Sequence, residues 1–595
     1  MCGIAGQWNK NLNVDTESFM RMRDTLTHRG PDGAGLYMSA DKMLALGHRR
    51  LSLIDLDETG SQPMHNEDNS IQVVVNGEIY NYPALKKELE SHGHIFYSTS
   101  DSEIIVHAYE EWGTRLLSHI KGMFAFAVWD EKKQKIFLAR DRFGIKPLYY
   151  YSTGDTFIFA SELKAILAYP GFKREIDYTS FCDFFVYRYI PSPKTIWKNV
   201  CKLPPASFLT LDLKKFNKPV VKQYWDLSLG NQKTGQKEII EKIDKLLCKS
   251  VEGHLLSDVP IGSFLSGGYD SSAMVYYMHR LKYPTQTFSI GFENWEQSEH
   301  LYAEMVADIF QTQHESFLVG KQDFGLVNDL VYYYDEPIAD ISIIPTYIIS
   351  KAASKKVKAV LSGEGADEIF GGYHWQKSFT AAWAGMSGLR KLINKPGITD
   401  KDFTLGRYNE AMAMGLFDHA LLKEFINPKL HDNIPEKPAW FYESHLKPCF
   451  SPLKTFQYLD IKTFMGELVL TKIDRASMAN SLEVRVPFLD HEIVELLFSL
   501  DEKVYFKPDT QKFVLNSILK PHLPEEIMNR PKQGFVGPDS YYMDIDYYQS
   551  VVLDGRLVKD ELINRDAIEK MVREKDHWRL WKVMVMELWY QKWMT

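Results

Sequence analysis

The chain opens MCGIAG, which places a thiol at Cys2 directly behind Met1. If Met1 is removed, one residue carries both a thiol and a free α-amine. The thiol titrates near about 8.5 and the amine near about 7.7–8.0, so the amine can take the thiol proton, directly or through one water. Nucleophile and base then reside in a single residue. PIGSFLSGGYDSSAM, 260–274, offers different chemistry. An apolar run enters Ser266, Gly267, Gly268, Tyr269, Asp270, Ser271 and Ser272, and helical text follows. The glycines allow close backbone approach, a helix start offers unpaired N–H groups, and the hydroxyls add donors. Such a cup suits a pyrophosphate. Asp270 inside it would repel the anion unless Mg²⁺ bridges the two. VLSGEGADEIFGGY, 360–373, is a second strand-like run ending in Ser362 and Gly363, with Glu364, Asp367 and Glu368 behind. Ligands of parallel α/β sheets sit at the carboxyl ends of strands, so the two loops can face one pocket. YDEPIADISIIP, 334–345, adds Asp335, Glu336 and Asp340. RPKQGF, 530–535, adds Lys532, a cation able to stabilise charge on phosphates.

Two kinds of text must position these residues. In the first part, Ile71–Val75, Met123–Trp129, Ile136–Ala139, Leu148–Tyr151 and Phe157–Ala160 read as strands, with DEKKQ as a hairpin turn. Leu85–His92 and Glu103–Trp112 have helical spacing. HRGPDGAG, 28–35, and DRFGIKP, 141–147, read as loops. This pattern predicts packed sheets with helices outside. A looser stretch, 211–236, reads as a linker between domains at 2–210 and 237–595. Beyond it, strand-like runs (Ile261–Leu265, Thr287–Gly291, Val357–Leu361) alternate with helical ones (Ser271–Leu281, Tyr302–Ile309), which predicts a parallel α/β sheet. From 375 the text is mainly helical, and LWKVMVMELWYQKW is apolar nearly all round, as a buried helix is.

Composition excludes several classes. A chain of 595 residues exceeds one core. Lys+Arg 70 against Asp+Glu 78 leaves −8, which argues against nucleic acid held through phosphates. There is no apolar run of about 18 residues for a membrane span, and the N-terminal text is not that of a signal peptide. Cys2, Cys182, Cys201, Cys248 and Cys449 are scattered and show no metal spacing. That set fits the reducing cytoplasm.

The SGGYDSS loop resembles the SGGxDS loop of N-type ATP pyrophosphatases, which split ATP to AMP and pyrophosphate and adenylate an oxygen. Tyr269 stands where an aliphatic residue is usual, so its hydroxyl needs a partner. MCGIAG, HRGPDG, RRLSLIDL (49–56), NGEIYN (76–81) and TSDSE (99–103) resemble the class II glutamine amidotransferase domain. Together these motifs resemble the glutamine-hydrolysing asparagine synthetases, over nearly the whole chain and in the family's order. IDRASMANSLEVRVPFLD, 473–490, matches a further family signature.

The resemblance implies an α/β and α+β chain. An αββα N-terminal-nucleophile domain would precede a parallel-sheet ATP pyrophosphatase domain with added helices. Cys2 would attack the side-chain amide of glutamine, with Asn76 and Gly77 as oxyanion hole. Arg50 would grip the glutamine carboxylate and Asp101 its amine, and Leu51, Ser52, Leu53, Ile54 and Glu78 would complete the glutamine site. Phe264, Ile290, Ser362 and Gly363 would hold the nucleotide, and Ser266 to Ser272 the pyrophosphate. Glu364 would serve acyl-adenylate formation and ammonia transfer, Asp270 and Asp367 would hold Mg²⁺, and Lys532 would meet the phosphates.

The implied reaction consumes glutamine and MgATP, with ammonia passing through an internal tunnel to an acyl-adenylate. Aspartate is the expected acceptor. Relatives with the same two domains amidate other carboxylates, including uronic-acid sugars of surface polysaccharides. The stretch 375–460 departs most from the matched patterns and could shape the acceptor pocket; GMSGLRKLINKPG and EAMAMGLFDH lie in it. A plain glutaminase or sugar-transferring amidotransferase would have no use for SGGYDSS, and a nucleotide-binding regulator none for Cys2. The expected partners are small molecules, with no nucleic acid and no membrane, and family members are often homodimers.

Overall fold

The computed structural model describes residues 2–215, 218–385, 401–447, 451–530 and 533–594. Its first part is built from twelve strands: β1 (Gly3–Asn9), β2 (Gly33–Met38), β3 (Leu44–Arg50), β4 (Met64–His65), β5 (Ile71–Ile79), β6 (Gly122–Asp130), β7 (Lys135–Arg140), β8 (Tyr149–Ser152), β9 (Thr156–Ala160), β10 (Val200–Lys202), β11 (Ser207–Asp212) and β12 (Val220–Gln223). They form two antiparallel sheets, ordered β10-β8-β9-β1-β3-β2 and β12-β11-β7-β6-β5-β4. The sheets pack face to face: Ile4, Leu46 and Phe159 of one meet Val74, Ala127 and Leu138 of the other. Helices Tyr82–Ser91 and Glu103–Trp112 cover the outer face of the second sheet through Leu85, Leu89 and Ile104. Helices Thr16–Asp24 and Tyr178–Tyr187 cover the first through Phe19, Met22 and Phe181. This is the αββα layering that the resemblance implies.

β6 and β7 form the hairpin expected around DEKKQ, with Asp130 opposite Lys135. Two loop expectations need correction. HRGPDGAG does not end as a loop: Gly33–Gly35 begin β2 and pair with Arg50–His48. The stretch 211–236 is not all linker, because β12 pairs with β11 from Ser207↔Gln223 to Thr210↔Val220. Its four residues are exposed and show no apolar alternation, so backbone pairing alone holds them at the sheet edge.

The second part carries a five-stranded parallel sheet, ordered β15-β14-β13-β16-β17. Its strands are β13 (Ile261–Phe264), β14 (Gln286–Phe292), β15 (Gln313–Val319), β16 (Ala359–Leu361) and β17 (Glu483–Arg485). Ser263 pairs with Leu361, so the loops that leave β13 and β16 start side by side. The remainder is helical, as expected. Helix Pro452–Leu459 runs through a π-helical segment, Asp460–Val469, into helix Leu470–Met478. The C-terminal helix His577–Trp593 is buried, and its Trp581, Val585 and Trp589 share one core with Phe184, Phe185 and Tyr187 of the first part.

The two parts also meet through buried charge. Glu162 is fully buried and accepts from Arg29 (2.8 Å) and His28 (2.9 Å), with Arg475 at 2.8 Å and Lys164 in contact. Asp474 takes Arg29 in a fork, at 2.9 and 3.2 Å. Asp335 meets Lys164 at 3.0 Å and Arg475 at 3.2 Å. Burial pushes Glu162 upward, but Lys164, Arg475 and His28 outweigh it and hold its carboxyl well below the usual range. Breaking a buried pair by removing one partner costs about 3–5 kcal/mol, because the other charge stays buried. Asp474→Ala is therefore expected to lower the urea unfolding free energy by about that amount. A loss under about 1 kcal/mol would place this network among ordinary surface pairs.

Two candidate active sites

Cys2 ends up buried at the start of β1, in a small pocket with Arg50, Leu51, Leu53, Ile54, Gly77, Glu78 and Asp101. The pocket exists because β1, β3 and β5 all end there. Asn76, fully buried on β5, accepts a hydrogen bond from Cys2 N at its Oδ1 (3.2 Å). Its Nδ2 is buried and has no hydrogen-bond partner among the described residues, so a strong donor stands uncommitted next to the thiol. Gly77 is required sterically: a Cβ would lie 2.1 Å from Met123 O on the paired strand β6. Ser52 is not on the pocket wall; its N–H donates to Asp32 (2.9 Å). Arg50 is held by the carbonyls of Asp57 (2.7 Å) and Asp55.

Burial pushes the Cys2 thiol upward, against the pull of the N-terminal positive charge. Glu78 is also raised by burial, and Arg485 of β17, 3.2 Å away, opposes that rise. Arg29 ties this site to the buried network by donating to Cys2 O (3.1 Å).

The second site is a cavity of about 390 Å³ at the carboxyl ends of β13 and β16. Phe264, Ser266, Asp270, Ser271, Ile290, Ser362, Gly363, Glu364 and Asp367 line it, so the two motif loops do face one pocket. Ser266 N–H donates to Ser271 Oγ (3.0 Å), which closes the turn. Gly267 and Gly268 shape the turn without lining the cavity. Gly267 has φ +73°, and a Cβ there would sit 2.6 Å from Tyr302. Ser272 is likewise off the wall, buried with no hydrogen-bond partner for its Oγ among the described residues. Tyr269 finds the partners its hydroxyl needs: it donates to Met528 O and accepts from Asn516 (2.9 Å). Glu364 accepts from Ser362 Oγ. Lys532 lies outside the described residues, but its neighbour Gln533 lines the cavity.

Sequence reasoning missed Lys512. Its ammonium is buried between the two acids assigned to metal, touching Asp270 and lying 2.7 Å from Asp367 Oδ1. Burial would lower its pKa, yet the two carboxylates raise it. Nothing in TQKF marked this lysine out. Also missed were Arg188, Ser342 and Lys472, which line the cavity with the expected Asp340, whereas Asp335 and Glu336 are off its wall and pair with Lys164 and Lys202. Arg188 belongs to the first part of the chain, and its left-handed φ of +71° ends helix Tyr178–Tyr187. Met414 of EAMAMGLFDH lines the cavity beside Arg188; most of GMSGLRKLINKPG lies outside the described residues.

Known families match both parts of the chain. The model of the glutamine amidotransferase domain matches residues 1–225, and that of asparagine synthase matches 242–591. The chain is 31% identical to asparagine synthetase [glutamine-hydrolyzing] 1 of Bacillus subtilis, covering 99% of this chain and 96% of the relative. It is 40% identical to putative asparagine synthetase [glutamine-hydrolyzing] 2 of Methanocaldococcus jannaschii, covering 63% of this chain and 76% of the relative. Amidase chry2 of Gibberella zeae is 28% identical, with 91% and 90% covered. The protein is thus an ATP-dependent ligase that hydrolyses glutamine to drive an amidation. Within that class it belongs to the glutamine-hydrolysing asparagine synthetase family.

Burial raises Asp101 to about 6, against the hydrogen bond from Ile79 N–H (2.7 Å). If Asp101 holds the glutamine amine, as the family resemblance implies, only its ionised form can do so. The KM for glutamine should therefore rise as pH falls through about 6. Asp101→Asn should raise KM at every pH and abolish that inflection, as steady-state glutaminase assays would read.

Proposed function

We propose that the chain makes asparagine: ammonia released from glutamine at Cys2 attacks the β-carboxyl of an aspartyl-adenylate formed at the 390 Å³ cavity. The observation that carries the aspartate reading is a charged cluster on the wall of that cavity. There Asp340 stands with Lys472 and Arg188, and both cations hold its carboxyl below the usual range, against burial. One anion beside two cations complements an acceptor that carries an ammonium and two carboxylates. A uronic-acid sugar offers no ammonium for Asp340 to meet.

In the proposed first step, Met1 has been removed and the α-amine takes the Cys2 proton. The thiolate attacks the glutamine amide carbon, and the oxyanion is met by Asn76 Nδ2 and the Gly77 N–H. The α-ammonium returns that proton to the departing nitrogen, ammonia leaves, and water cleaves the thioester to glutamate and the free thiol. In the second step, the acceptor carboxylate attacks the α-phosphorus of ATP and pyrophosphate leaves. A free carboxylate would have to expel oxide; adenylation supplies AMP as the leaving group instead. Ammonia then displaces AMP, and Glu364 is placed to take its surplus proton. Phe264 and Ile290 border the nucleotide, and Ser266 and Ser271 meet the departing pyrophosphate.

The oxygen donors of Asp270 and Asp367 converge on one cation, which fits a Mg²⁺ site. The ion would neutralise phosphate charge there. Lys512 holds both carboxylates in place. Helix Leu470–Met478 supports internal transfer of ammonia: its Lys472 and Ile473 line the ATP cavity, while its Met478 packs on Leu51 of the Cys2 pocket. Transfer inside the protein keeps ammonia unprotonated. We place the reaction in the cytoplasm, where all three substrates are available.

The test is pyrophosphate release with MgATP and glutamine across a panel of carboxylates, with the amide product identified by mass. Asparagine should appear with aspartate. Silence with aspartate and turnover of another carboxylate would overturn the acceptor assignment while keeping the two-site chemistry; relatives named as amidases make that the alternative to include. Cys2→Ala should abolish glutamine-driven synthesis and leave ammonium-driven synthesis within about two-fold. Asp270→Asn should lose pyrophosphate release by at least about a hundred-fold while glutamine cleavage continues.

A further inference from the structure

We propose that Glu67, His94, His107 and Glu110, on the outer face of the first part, form a binding site for a divalent transition-metal ion of the zinc class. One ligand atom from each lies within 4.8 Å of the other three. Glu67 sits in the turn between β4 and β5, and His94 in the segment after helix Tyr82–Ser91. His107 and Glu110 are three residues apart on helix Glu103–Trp112, and so share a face.

Two features point to an ion beyond the cluster itself. The first is His107, which is completely buried. Its Nε2 meets the Glu103 carboxylate at 3.3 Å. With that nitrogen carrying the proton, Nδ1 presents a bare lone pair. Nδ1 is buried with no hydrogen-bond partner among the described residues. Glu67 Oε1 stands 3.6 Å away, beyond hydrogen-bond range. Ligands about 2.0–2.1 Å from a tetrahedral zinc ion lie about 3.4 Å from one another, so this gap is close to a ligand–ligand edge.

The second feature is outer support. His94 Nε2 faces Glu111 at 3.4 Å, which leaves its Nδ1 3.7 Å from Glu67 and 3.9 Å from Glu110. Glu67 accepts from Ile95 N–H (2.8 Å), and Glu110 from Asn66 Nδ2 (3.2 Å). Both imidazoles thus have a carboxylate behind them, the arrangement that orients metal-bound histidines. Two imidazoles with two carboxylates favour zinc-class ions over Mg²⁺ or Ca²⁺, which prefer all-oxygen sites.

The site would brace a particular segment. From His94 the chain runs through Tyr97 and Ser98, whose N–H groups both donate to Glu103 (2.8 Å), to Asp101 in the Cys2 pocket. An ion that pins His94 to the helix would stiffen the approach to Asp101. This consequence, unlike the binding site, rests on the glutaminase reading.

The test uses the full chain, stripped with chelator and titrated with Zn²⁺ by calorimetry and with Co²⁺ by visible absorption. One equivalent should bind, with the strong absorption of four-coordinate Co²⁺ and no thiolate charge-transfer band. His94→Ala and Glu110→Gln, both at partly or fully exposed positions, should each weaken binding at least about ten-fold. Zn²⁺ should raise the melting temperature of the unsubstituted chain and lower its KM for glutamine, while ammonium-driven synthesis stays unchanged. Absence of stoichiometric binding, thiolate bands, or affinity unchanged in both variants would overturn the site. Binding that leaves KM unmoved would overturn only the bracing role.

Discussion

A carboxylate buried away from water must be met by positive charge, and at Glu162 this requirement organises the molecule. Arg29 and His28 come from one end of the chain and Arg475 from the other, with Lys164 beside them. None of these charges could stay buried alone, since an isolated ion loses far more in solvation than its surroundings return. The two parts of the chain therefore have one docked arrangement that satisfies all of them. The network reaches the chemistry in one further contact, from Arg29 to the backbone of Cys2.

The two sites are consequently not separate objects. Arg188 crosses from the first part to wall the 390 Å³ cavity, and Arg485 crosses in the other direction to Glu78. Helix Leu470–Met478 has residues at both. It follows a ten-residue π-helical segment, Asp460–Val469, whose Phe464 and Val469 also face the cavity. Irregular helices of this kind occur mostly at functional sites, where the changed pitch re-aims side chains. Two acids near this segment are raised by burial. Burial and the charge of Asp367 raise Glu368 to about 8, and burial raises Asp460 to about 7.

Much of this was legible in the text, for local reasons. Strands and hairpins of the first part follow from apolar runs broken by turn residues. The SGGYDSS and SGEGAD loops follow from glycine and serine at strand ends, where backbone geometry leaves few alternatives. Pairing across the fold left no such trace. Arg29 and Asp474 are 445 residues apart, and neither looks unusual in its own neighbourhood. Lys512 sits in plain text and acts only because the fold carries it to Asp270 and Asp367. β12 escaped notice because an exposed edge strand needs no apolar face. The assignment of Gly267, Gly268 and Ser272 to ligand contact came from motif membership; in the fold the glycines make the turn that presents Ser266 and Ser271.

The shared helix carries a lesson for anyone recombining such enzymes. A first half taken from a relative would bring its own versions of Arg29, Glu162 and Arg188, and would meet an Asp474, Arg475 and Lys472 tuned to different neighbours. A graft cut at the covalent junction between the halves would thus join two surfaces whose buried charges no longer cancel. The natural unit of exchange is larger than either half: it is the first half together with the 470–485 segment that closes it.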